Sequence, residues 1–99
     1  MELKDLTPLT YADLKPGLPV ITLRKLRDGR LSLGKPTTIA AVGDCVEFES
    51  GVEAFPTDMG CPPPGRSFHN NHRTFAHTTE VESVLRALVA EQDLIAWDN

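Results

Sequence analysis

The chain has 99 residues, 40% hydrophobic and 24% charged, with a net charge of −4. That length holds one domain, residues 1–99, and leaves too little for a second core, while the composition is that of a folded rather than a disordered chain. The apolar runs fall far short of a membrane span, and the opening Met-Glu-Leu-Lys-Asp lacks the basic start and apolar stretch of a secretory signal, so a cytoplasmic protein without a membrane segment is expected.

In chain order, Thr10-Tyr11-Ala12-Asp13-Leu14 reads as one helical turn, with Thr10 accepting from a backbone N–H, before Pro16-Gly17 stops it. Leu18 to Leu26 is rich in β-formers and reads as a strand. Asp28-Gly29 suits a tight hairpin turn, which sets Leu31 of the return strand Arg30 to Leu33 opposite Leu26 and turns Lys25, Arg27 and Arg30 outward. Thr37 to Val42 reads as a buried strand. Cys45–Glu49 and Val52–Phe55 flank Ser50-Gly51, and a three-residue loop with Gly51 left-handed pairs Phe48 with Val52 and Val46 with Ala54 on one face. Glu47 and Glu53 then meet on the other.

Pro56 to Asn71 carries three consecutive prolines and reads as irregular loop. Arg73 to His77 is expected as the last strand of the body, with Phe75 inward. Thr79 followed by Glu82 forms a capping box, and Val81, Val84, Leu85, Leu88 and Val89 recur on one helical face. Leu94-Ile95-Ala96-Trp97 is a candidate edge strand through which a homodimer could pair. The fold class is α+β: a small antiparallel β-barrel or roll, SH3-like, of about five short strands with one C-terminal amphipathic helix. A split α+β sheet is the alternative. The helical face should be buried with Ile21, Ile39, Val46, Phe48 and Phe75.

The charge is patterned. Arg24, Lys25, Arg27, Arg30 and Lys35 oppose only Asp28, and Asp44, Glu47, Glu49, Glu53 and Asp58 follow with no base among them. Such strips suit complementary docking or plain solvation, and exposed pairs contribute little by themselves. Cys45 and Cys61 are expected as reduced thiols. With His69 and His72 they make a candidate zinc set, although only the histidine end has the usual ligand spacing. Cys61 as a nucleophile lacks activating N–H groups, because prolines follow it. No glycine-flanked serine or phosphate-cradling loop is present, so neither an enzyme nor a cofactor is implied.

The expectation is therefore a non-enzymatic binding or regulatory protein. It would contact a partner protein or a small anionic ligand through the 56–77 loop, using Arg66, Phe68, His69, Asn70, Asn71, His72 and Arg73. The alternatives are a nucleic-acid-binding barrel working through the basic 24–35 hairpin, which the acidic isoelectric point disfavours, and a zinc-stabilised interaction domain.

Overall fold

The computed structural model describes residues 5–68 and 70–91. Its organising element is β1 (Pro19–Lys25), in which Val20 and Ile21 are both fully buried although successive strand residues point to opposite faces. Both faces of β1 are therefore covered. The other strands among the described residues are β2 (Leu31–Leu33), β3 (Thr37–Val42), β4 (Val46–Phe48), β5 (Glu53–Ala54) and β6 (Arg73–Ala76), followed by the helix α1 (Thr79–Ala90).

All pairings are antiparallel, in the order β2-β1-β3-β4-β5, with β6 also on β1. Leu23 pairs with both Leu33 and Arg73, and Val20 with both Thr37 and Ala76. Thus β6 runs along one edge of β1 while β2 and β3 share the other. The sheet does not close into a barrel, which corrects the SH3-like barrel expected from element order. After the two-residue β5 the chain folds into a tight turn, with Met59 N–H donating to the Pro56 carbonyl and Cys61 N–H to the same oxygen, rather than extending as a closing strand.

The core is split accordingly. Ile21, Leu23, Leu31 and Phe75 pack with Val81, Leu85 and Leu88 of α1, which confirms the helical face. Leu14, Val20, Ile39, Val46, Met59 and Cys61 form a second cluster. Ile39 and Val46 thus belong away from the helix, and Phe48 is only half-buried at the second cluster's margin, which corrects the single core expected.

Two local expectations shift by a residue or a role. The helix is capped by Thr78, whose hydroxyl accepts from Val81 N–H at 3.1 Å; Glu82, freed from a capping box with Thr79, binds His77 and Arg86 instead, each at 2.7 Å. The first hairpin has a three-residue loop, because the Asp28 carboxylate accepts from Arg30 N–H at 3.0 Å and from its Nε at 2.7 Å. Leu31 then opposes Lys25 and is buried, while Leu26 is 39% exposed. At the N-terminal turn (Tyr11–Asp13), Thr10 and Asp13 form a reciprocal capping box, in which the Asp13 carboxylate also accepts from the N–H and the hydroxyl of Thr10. The second hairpin forms as read, with Gly51 at φ +90° and Val46 paired to Ala54. Among the described residues no helix is long and apolar enough to cross a membrane. The 94–97 segment lies outside them.

Candidate functional site

The register of β6 on β1 determines what the 56–77 segment can present. Because Arg73 pairs with Leu23, the residues entering β6 lie beside those leaving β1. The loop and the basic hairpin, two separate candidates in the sequence, become one surface. Lys25, Leu26 and Arg27 face Asn70, Asn71 and His72 across a cleft of about 510 Å³.

The loop itself divides in two. Its first part is structural: Pro56, Met59, Gly60 and Cys61 are buried. The hydroxyl of fully buried Thr74 donates to the Met59 carbonyl at 2.6 Å and shares a 2.8 Å hydrogen bond with Thr22. Cys61 donates its S–H toward the Leu9 carbonyl at 3.3 Å, and burial pushes its thiol up to about 11. Protonated at neutral pH and enclosed, that sulfur is a packing group and no nucleophile.

The second part, 66–73, carries the exposed groups. Arg66 is exposed, as is Phe68 at 53%. Arg73 stacks its guanidinium 4.2 Å from the centre of the Phe68 ring and donates to the His72 carbonyl at 2.6 Å. It therefore holds the loop's shape and caps carbonyls, leaving less of its charge for a ligand. Asn70 accepts from His72 N–H at 2.9 Å through its side chain. The His72 Nδ1 lies 3.1 Å from the Asp58 carbonyl, and since a carbonyl only accepts, that bond fits the tautomer with the proton on Nδ1. His69 lies outside the described residues. Among those described, no three His, Cys, Asp or Glu side chains gather into a metal-holding group, and Cys45 sits half-buried with a free thiol immediately before β4.

A second concavity, of about 590 Å³, opens on the face of β1 opposite α1. Sequence reasoning missed it, because its lining comes from five separate stretches of chain. Thr22 and Arg24 of β1 and Lys35 after β2 contribute from one side; Val52, Glu53 and Ala54 of the second hairpin, together with Asp58, contribute from others. Phe48 and Met59 add apolar surface, and His72 lines both this groove and the cleft. The signal available in the sequence was the pair of charge strips, whose members Arg24, Lys35, Glu53 and Asp58 meet here. Arg30 of the basic strip is instead tied to Asp28. No family model, characterised protein or solved structure matches the chain.

Proposed function

We propose that the protein is a non-enzymatic binding module that docks an acidic surface of a partner protein, or a small anionic ligand such as a nucleotide, on the joint surface of the first hairpin and the 66–73 loop. The observation that carries this reading is the cleft in which Lys25, Leu26 and Arg27 meet Asn70, Asn71 and His72. Cations attract the anion, amide and imidazole groups orient it, and exposed Leu26 in the cleft and Phe68 on the same loop supply apolar contact. The 56–61 part of the loop acts as the scaffold that holds 66–73 against β6. A cytoplasmic setting is supported by two free thiols, Cys45 and Cys61.

A nucleic-acid partner is the second reading, favoured by exposed Phe68 stacked under Arg73 as a base-stacking platform. The net charge of −4 weighs against it. Capture of partners from the native host, with Arg27→Ala, Arg66→Ala and Asn71→Ala variants, tests both. A protein interface is expected to lose capture in the variants and to weaken only gently between 50 and 200 mM salt, whereas several phosphate contacts would weaken binding by orders of magnitude over that range. Undiminished capture by all three variants refutes the site.

A further inference from the structure

We infer that the groove beside β1 holds an anion site for a small phosphorylated molecule, seated on Arg24, Lys35, Thr37 and Ser50. The inference goes beyond the cleft of the proposed function, with which this groove shares only His72. By strand alternation Val20, Thr22 and Arg24 fall on the face of β1 opposite α1. Since β2 and β3 follow one another along the same edge of β1, their connection, Gly34-Lys35-Pro36, runs beside that face. The Arg24 guanidinium leans onto it: Cζ and one terminal nitrogen each lie 3.8 Å from where a Cβ on Gly34 would stand. The next residue is Lys35. Two like charges thus converge on one concavity, and among the described residues neither has an ion-pair partner. Like charges repel, and an anion between them turns that repulsion into attraction.

The neighbouring groups decide which anion. Glu49 N–H donates to the Thr38 carbonyl at 2.9 Å, which sets Ser50 beside Thr37. The Ser50 hydroxyl accepts from Val52 N–H at 3.5 Å, so its own proton remains to donate, and the Thr37 hydroxyl has no partner among the described residues. Thr22 is different. Thr74 gives its single hydroxyl proton to the Met59 carbonyl, so Thr22 must donate to Thr74 and has no proton left for a ligand. The two carboxylates at the groove do not oppose an anion: Glu53 pairs with Glu47 on the hairpin face turned away from Phe48 and Ala54, and Asp58 already has an interaction partner. All four groups of the site can donate, and two carry positive charge. A phosphate monoester, with a charge of about −1.5 to −2 near pH 7 and three acceptor oxygens, matches that set better than a carboxylate, with one charge and two oxygens. The groove, of about 590 Å³, leaves space for a small organic body beyond the phosphate.

The test is an amide-resolved NMR titration of the full chain with phenyl phosphate at fixed ionic strength and about pH 7.5, where the monoester is mostly a dianion. Saturable shifts are expected at Gly34, Lys35, Thr37 and Ser50, and inorganic phosphate should move the same amides. Benzoate is expected to bind about tenfold more weakly, as loss of one charge-assisted hydrogen bond implies. Arg24→Gln and Lys35→Gln should each weaken phenyl phosphate about tenfold, whereas Arg86→Gln, which removes the same charge from α1, should leave its affinity unchanged. Arg24 and Lys35 are exposed, so both variants should keep the native spectrum elsewhere. Four results overturn the assignment: shifts confined to the cleft, benzoate binding as tightly as phenyl phosphate, a loss in Arg86→Gln equal to that in Arg24→Gln, or no saturable shift at all. Vesicles containing phosphatidic acid present the same monoester; if they shift these amides while phenyl phosphate does not, the ligand is a lipid surface and the small-molecule assignment fails.

Discussion

Gly60 is where two distant parts of the chain come closest, and replacing it with alanine separates two effects that usually travel together. Its φ is +76°, in the region where a Cβ costs about 1–2 kcal/mol. The added Cβ would also fall on the His72 carbonyl and lie 3.1 Å from Arg73 Cα, both backbone atoms that cannot rotate away. Relief requires the 59–61 and 72–74 segments to part. That strains the hydrogen bond from Thr74 to the Met59 carbonyl, and an unsatisfied buried carbonyl costs about 1–3 kcal/mol. The sum for Gly60→Ala is about 2–5 kcal/mol, a fall in Tm of roughly 8 °C or more for a chain this size. Gly65→Ala is the matched control: its φ is +83°, and nothing lies within 4 Å of the added Cβ, so only the backbone cost of about 1–2 kcal/mol remains. Urea unfolding of both variants, with a common m-value, gives the difference directly. A Gly60→Ala protein too unstable to fold beside a folded Gly65→Ala protein agrees with the argument. Equal losses in the two variants would refute it.

Two further outcomes follow from side-chain chemistry. The Glu82 carboxyl is held below its ordinary value of 4.5, first by the hydrogen bond from His77 and then by that from Arg86. A depressed carboxyl stabilises the fold above the unfolded value, and that contribution fades as pH falls through the folded one. The stability advantage of the unaltered protein over Glu82→Gln should therefore be full above pH 4.5 and shrink below it; a difference that is constant from pH 7 to pH 3 would contradict the pairing. An aromatic disulfide reagent at pH 8 should modify Cys45 quickly and reach Cys61 only as the protein unfolds, since that thiol is buried and pushed up to about 11. Two equivalents of rapid reaction would place Cys61 elsewhere.

What could be read from the sequence was whatever local periodicity and turn chemistry decide. The α1 face was legible because Val81, Leu85 and Leu88 recur at helical spacing and nothing else in the chain competes for them. The second hairpin was legible because Gly51 alone can take the left-handed position its loop needs. The first hairpin slipped by one residue, because the dipeptide Asp28-Gly29 suits a two-residue turn while the Asp28 side chain, bonding to Arg30, holds a three-residue one. The buried character of 56–61 was hidden by its prolines and glycine; Met59 and Cys61 pack in the second cluster, and the Thr74 hydroxyl satisfies the Met59 carbonyl there, contacts that no local pattern encodes. Adjacent Val20 and Ile21 did carry a sign of the split core, since two apolar neighbours in a strand imply cover on both faces. The groove and the cleft were invisible for the same reason as each other. Each joins residues that are neighbours only through the pairing of β1 with β6 or through the path of the sheet.

The placement of β1 also governs how the molecule comes apart. Two hydrophobic clusters of similar size could melt separately, giving a half-folded state with either the helix or the groove intact. Here they are the two faces of one strand, and Val20 cannot lose its neighbours without Ile21 and Leu23 losing theirs. That strand is also bonded along both edges, to β6 on one and to β2 and β3 on the other, so its amides exchange with solvent only when both layers open together. The helix layer and the groove layer thus form one cooperative unit, and a substitution that loosens α1 reduces the population in which the opposite face is assembled to bind anything.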